Sequence, residues 1–153
     1  MSHRFVTGAL AALFVLSPLH PVEAAARGQT AQGWAYLQGG IGRDEVEMLS
    51  AARPFYSLSI RTAAGGSGAW LSNVSVTIRD LSRDQPVFEG AIDGPWLLID
   101  LPAGRYAISA RSDDQVRTQE VTIKPHARRD CVLYFQVAGQ EHPFRDADPG
   151  ERR

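Results

Sequence analysis

From position 56 onward the chain alternates apolar and polar residues in short runs. Tyr56, Leu58 and Ile60 fall on one side of an extended segment, and Ser57, Ser59 and Arg61 on the other. That period of two marks a half-buried strand. The clearest strand lies within Trp70–Asp80, where Val74, Val76 and Ile78 alternate with Ser75, Thr77 and Arg79. Val87–Ile92 is weaker, and Pro86 at its start suits a sheet edge, because proline cannot donate to a ladder. Trp96–Leu101 is an unbroken apolar run and fits a strand covered on both sides. Arg105–Arg111, Val116–Ile123 (Val121 and Ile123 inward) and Cys131–Val137 complete seven predicted strands. Short turn clusters separate them, with no helical pattern in between. An antiparallel β-sandwich is the expected architecture.

One turn carries more information than the others. In Leu101-Pro102-Ala103-Gly104-Arg105-Tyr106, Pro102 fixes φ for position i+1 of a turn, and Gly104 can supply the positive φ that closes a hairpin. Tyr106 shares a strand side with Ile108 and Ala110. There it can bury its ring and direct its hydroxyl to nearby backbone, as a tyrosine corner does. Ser112-Asp113-Asp114-Gln115 reads as a second hairpin turn, without the glycine such a turn commonly carries.

The segment before position 56 has another character. Arg4 precedes an apolar run from Phe5 to Leu16, which Pro18 and Pro21 end ahead of Val22-Glu23-Ala24-Ala25-Ala26. A basic, apolar, small-residue order is that of an export signal, and the run is shorter than the roughly 20 residues a membrane span needs. Cleavage is expected after Ala24 or Ala26, leaving a periplasmic or secreted chain with no membrane span. The alternative is a buried N-terminal helix. Residues 25–54 form a lead-in: Ala25–Gly33 is read as poorly ordered, and Trp34, Tyr36, Leu37 and Ile41 as a glycine-rich loop docking aromatic groups. A short helix follows over Asp44–Arg53, with Asp44 and Glu47 at capping-box spacing, Val46, Leu49 and Ala52 or Arg53 on one face, and Pro54 as its stop. Residues 138–153 hold two prolines and dense charge, the composition of a disordered polar tail.

The chain has 153 residues with 16 basic and 17 acidic side chains, and removing residues 1–24 takes Arg4 and Glu23 together. Such balance argues against a nucleic-acid or polybasic membrane binder. Its single cysteine, Cys131, falls on the side shared with Leu133 and Phe135, so it is expected to be a small buried apolar residue rather than a reactive thiol.

The run Val74-x-Val76-x-Ile78-x-Asp80, the turn to Val87, Gly94 and Leu101-Pro-Ala-Gly-Arg-Tyr106 together resemble the carboxypeptidase regulatory-like domain. That domain is a prealbumin-like (transthyretin-like) β-sandwich common in exported bacterial proteins. The resemblance covers roughly residues 56–137, and the Tyr36–Gly42 lead-in is similar to that of small secreted proteobacterial members. It implies a domain spanning 55–137 and brings no catalytic motif. A transthyretin-like branch hydrolyses a purine-derived small molecule and carries a C-terminal Tyr-Arg-Gly-Ser signature. Here the chain reads Asp148-Pro-Gly-Glu-Arg-Arg153.

The candidate chemistry is sparse. His126 and His142 lack the spacing of a paired-histidine site and there is no Cys-x-x-Cys, so no metal or cofactor is expected. Ser67 lacks a nucleophile motif, and Gly65-Gly-Ser-Gly68 lacks the lysine-bearing helix of a phosphate loop. Asp93 and Asp100 would have to converge to act as an acid–base pair, and each instead adjoins a turn. Trp34, Tyr36 and Trp70, with Trp96, are the candidate aromatic platform, and Ala63–Ala69 a loop able to move beside it. The expected function is a non-enzymatic exported module that binds an envelope protein or glycan. Rival readings are a small-molecule hydrolase using Arg105, Arg111 and His126, and a purely structural subunit.

Overall fold

The computed structural model describes residues 25–137, so the expected leader (1–24) and tail (138–153) lie outside the described residues. In chain order it contains β1 (Ala26–Gln29), β2 (Ala35–Gly39), α1 (Arg43–Ala52) and a 3-10 turn (Arg53–Phe55). Then come β3 (Leu58–Ala64), β4 (Val74–Asp80), β5 (Gln85–Ile92), β6 (Trp96–Ile99), β7 (Gly104–Ser112), β8 (Gln115–Ile123) and β9 (Arg129–Phe135). A five-stranded sheet in the order β1-β2-β6-β3-β9 faces a four-stranded sheet in the order β5-β4-β7-β8. The result is an all-β sandwich with one helix.

Nine strands replace the seven expected. The extra two occupy the lead-in read as a poorly ordered segment and a glycine-rich loop. β1 is mostly exposed and joins the sheet through its backbone, pairing Ala26–Gln29 with β2, so no alternation of side chains announces it. β2 is short and ends in glycine, and it is placed by pairing with β6. A second correction concerns direction. β9 runs parallel to β3, from Leu58↔Arg129 to Ala64↔Phe135, so this sheet is mixed rather than antiparallel. β9 arrives from the opposite sheet, and nothing in an isolated strand's side chains records which way its neighbour runs.

The Leu101–Gly104 turn is not a hairpin either. It carries the chain from β6 in one sheet to β7 in the other. Gly104 is absent from the positive-φ positions, and its lack of a side chain serves packing: a β-carbon there would come within 3.2 Å of the Tyr106 hydroxyl. The tyrosine does close the corner, donating from its hydroxyl to the Pro102 carbonyl at 2.9 Å. Ser57 pins the same corner to β3, accepting from the Leu101 amide at 2.7 Å and donating to the Leu101 carbonyl at 2.8 Å. The β7–β8 turn is the two-residue hairpin expected, and Asp113 takes its positive φ of 52° in place of glycine.

The main core fills the space between the sheets. Leu58, Ile60, Leu97, Ile99, Leu133 and Phe135 meet Val74, Val76, Ile78, Tyr106 and Ile108 there. Cys131 belongs to this core, and burial pushes its thiol pKa up, which keeps it protonated and unreactive. β5 lies at an edge, as Pro86 implied, and its pairing with β4 skips Val87, so that both Val87 and Phe88 are buried.

A second, smaller core lies on the outer side of the five-stranded sheet. Leu49, the buried residue of α1, packs there on Leu37, Trp96 and Leu98. The helix begins one residue earlier than expected and lacks the expected capping box. Its N-cap is Gly42 at φ 88°, with no side-chain cap. Glu45 reaches back instead, its Oε2 accepting from the amides of Gly40 (2.8 Å) and Ile41 (2.9 Å). This outer layer also explains why β3, expected to be half-buried, is buried on both faces apart from Arg61. The connection after β3, expected to be a flexible loop, is a bonded turn: Gly68 donates to the Ala64 carbonyl and Gly65 to that of Phe135.

Candidate functional site

Strand parity divides the five-stranded sheet cleanly. Leu58, Ile60, Cys131, Leu133 and Phe135 point into the sandwich. Ser59, Arg61, Ala63, Asp130, Val132 and Tyr134 therefore point outward, since successive side chains alternate across a sheet. The helix covers the β2–β6 half of this outer face. On the β3–β9 half the outward Ser59 and Ala63 of β3 are buried too, while β9 leaves Asp130 and Tyr134 exposed.

At one end of that half stand two aromatic side chains. β6 pairs with β3 only as far as Arg61↔Trp96, and the segment around Trp70 then takes its place, with Ala63 bridged to Trp70. On the other flank Ala63 is in register with Tyr134. Trp70 is 50% exposed and Tyr134 54%, while Ala63 between them is buried. Two inter-strand spacings set their backbones roughly 10 Å apart. The pair flanks Ala63 on the outer face.

Arg61 is the next outward residue along β3. Its guanidinium carbon lies 5.6 Å from the Trp70 ring centroid and 5.4 Å from that of buried Trp96. Both distances are within cation–π range. Towards the start of β3 lies a separate cleft of about 240 Å³ lined by Arg53, Tyr56, Ser59, Arg128, Arg129 and Asp130, among others. Arg53 grips Asp130 with two contacts, Nε to Oδ1 at 2.8 Å and a guanidinium nitrogen to Oδ2 at 2.6 Å. That hydrogen bond holds the Asp130 carboxyl below its usual range and raises Arg53 in turn, so the pair is fully ionised at neutral pH. Arg128 donates to the Pro54 carbonyl at the cleft, whereas Arg129 donates to the Thr122 carbonyl of β8 in the other sheet. Ser59 is 3% exposed, and its hydroxyl neighbours the Asp130 carboxylate, which Ser59 and Arg61 both help to keep charged.

The aromatic residues named from sequence do not form one patch. Trp70 stands on the outer face. Trp34 and Tyr36 are partly buried against the main core, at the other side of the same sheet. Tyr36 meets Phe88 edge-to-face, with ring centroids 5.2 Å apart. Beside it, the β1–β2 turn and β5 enclose a second cleft of about 330 Å³. The hydrolase trio is not gathered. Arg105 and Arg111 lie at opposite ends of β7, and Arg105 is paired with Glu120 at 3.1 Å. His126 is exposed in the β8–β9 loop. Asp93 and Asp100 are exposed at opposite ends of β6. Ser67 accepts from the Ala69 amide within its own turn. Among the described residues no three His, Cys, Asp or Glu side chains come together as a metal set, and no helix is long and apolar enough to cross a membrane.

Sequence reasoning missed Tyr134, Arg61, Ser59 and the arginine cleft. Tyr134 was hidden in an ordinary strand alternation, and the Lys124–Asp130 charges read as a solvated loop. The usable signal was a serine and an arginine on the strand that borders Cys131–Val137, but that neighbour relation is tertiary. Comparison of the chain with protein-family models, with curated proteins and with solved structures finds no match in any of the three.

Proposed function

We propose that this chain is an exported, non-enzymatic β-sandwich module that binds an envelope glycan across the outer face of its five-stranded sheet. The observation that carries the reading is the exposure of Trp70 and Tyr134 on either side of buried Ala63. Exposed aromatic rings stack on the C–H faces of sugars, and the neighbouring guanidinium and hydroxyl groups suit sugar oxygens. The likeness to the carboxypeptidase regulatory-like domain supports a binding rather than a catalytic role. Export is supported by the basic, apolar, small-residue order of residues 1–24.

The test is retention on insoluble cell-wall polysaccharide, with intrinsic tryptophan fluorescence as a second readout. Trp70→Ala and Tyr134→Ala should each weaken binding about ten-fold or more, on the scale of ~1–3 kcal/mol per lost aromatic stacking contact. Val116→Ala, on an exposed position of the other sheet, should leave binding unchanged. Unaltered retention by the Trp70/Tyr134 double variant would reject this face as the site.

A further inference from the structure

The start of β1 discriminates between the two cleavage positions that residues 22–26 allow. Ala26 pairs with Gln38 and Arg27 with Leu37, so Ala25 continues the same ladder opposite Gly39. Parity puts its methyl group on the outer face with Leu37, where it is half-buried against the small core of Leu37, Leu49, Trp96 and Leu98. A cut after Ala24 leaves this strand and its packing whole. A cut after Ala26 removes the Ala25 methyl from the core and the Ala26↔Gln38 pair from the ladder. It also sets a new ammonium on Arg27, beside that residue's own guanidinium.

The neighbour of Ala25 points the same way. A β-carbon at Gly39 would lie 2.8 Å from Oε2 of Glu45 and 3.0 Å from the β-carbon of Ala25, so carboxylate and alanine meet across the bare glycine. Glu45 stands in the first turn of α1 and accepts from the Gly40 and Ile41 amides. Both bonds go to Oε2, which leaves Oε1 without a donor among the described residues. A charged donor strengthens such a site more than another neutral one would. The amino group of a chain that begins at Ala25 is that donor.

We infer that the exported chain is cut between Ala24 and Ala25 and that Glu45 holds the ammonium so formed, tying the new N-terminus to the first turn of α1. Hydrolysis of that one peptide bond by a peptidase adds one water, leaving a carboxylate on Ala24 and an ammonium on Ala25. The inference rests on the export reading above and adds the position of the cut and the fate of the new end.

Expression of the full chain with its own N-terminal segment, followed by intact-mass measurement of the exported protein, tests the cut. A chain beginning at Ala25 is expected. The capture is tested on that product by acetylation with acetic anhydride near neutral pH, read by peptide mass. A free α-amino group titrates at about 7.7–8.0, and pairing with a carboxylate keeps it protonated and slow to react. Glu45→Gln keeps an oxygen for the Gly40 and Ile41 amides and removes the charge. It should speed α-amino acetylation about three-fold or more, with Lys124, the one lysine, as an unchanged internal reference. Glu47→Gln, at an exposed position of the same helix, should leave the rate as it was. Added salt should speed the reaction in the parent protein, a readout that needs no variant to fold. A rate indifferent to both Glu45→Gln and salt overturns the capture. A chain beginning at Arg27, or at any residue but Ala25, overturns the cut and leaves export standing. Uncut protein retained in the cytoplasm overturns export and this inference together.

Discussion

The hydroxyl of Tyr106 donates to the carbonyl of Pro102 at 2.9 Å, four residues back around the corner where the chain leaves one sheet for the other. The ring is buried and the carbonyl is near solvent, so the bond ties a core residue to an exposed turn. Tyr106→Phe keeps the ring and removes the tie. The expected loss is about 1 kcal/mol, since water can still reach the carbonyl. The denaturation midpoint in urea measures it. Burial raises the Tyr106 pKa above its ordinary value of 10.0. Its contribution is therefore complete below pH 10 and is lost as pH rises through the higher folded value. The phenylalanine variant should show a shallower alkaline fall in melting temperature. An identical fall would exclude Tyr106 as its source.

Leu49 is the residue through which α1 holds the sheet. A ten-residue helix is marginal by itself in water, so its order depends on that contact. Leu49→Ala should cost about 2–5 kcal/mol and lower the far-ultraviolet helical signal. Trp70→Ala, which removes a half-exposed ring, should cost less than about 1 kcal/mol. Calorimetry separates the two, and similar losses would mean that Trp70 is structural rather than free for a ligand.

The Arg53–Asp130 pair should leave a signature in acid. Asp130 has a folded pKa below its ordinary 3.8, because Arg53 bonds its charged form. The stabilisation is thus present above that ordinary value and is lost as pH falls through the lower folded one. Both side chains are partly exposed, so its size should stay under about 1 kcal/mol and shrink in salt. Asp130→Asn should flatten the acid limb of a melting-temperature profile below about pH 4. A limb of unchanged slope would assign acid sensitivity to other carboxylates.

β9 is an edge strand whose free backbone is covered by side chains from β8. Arg117 Nε donates to the Tyr134 carbonyl at 2.9 Å, and Gln115 both donates to the Gln136 carbonyl and accepts from its amide. Such covering blocks strand pairing with another molecule. The double variant Gln115→Ala, Arg117→Ala should raise concentration-dependent self-association relative to the parent chain, by size-exclusion chromatography with light scattering. No change would show that the edge is protected in another way.

Much of this molecule follows from local sequence. The alternation at Val74, Val76 and Ile78 placed a strand, Pro86 marked an edge, Leu101–Tyr106 marked a corner with a buried tyrosine, and Cys131 was set among core residues. Each of these depends on the side-chain period or on a fixed backbone preference, which a residue carries wherever its strand goes. The tertiary structure decided the rest. It enlisted β1 and β2 by backbone pairing, which leaves no mark on side chains, and it set β9 parallel to β3 after the chain had crossed between sheets. It turned Ser59 from a solvent-facing residue into a buried one by laying further structure over its face. It also brought Trp70 and Tyr134, 64 positions apart by number, to opposite sides of Ala63. Periodicity specifies which side of a strand a residue occupies. Which strands become neighbours is specified only when the whole core is buried at once, and the candidate site is made of those neighbour relations.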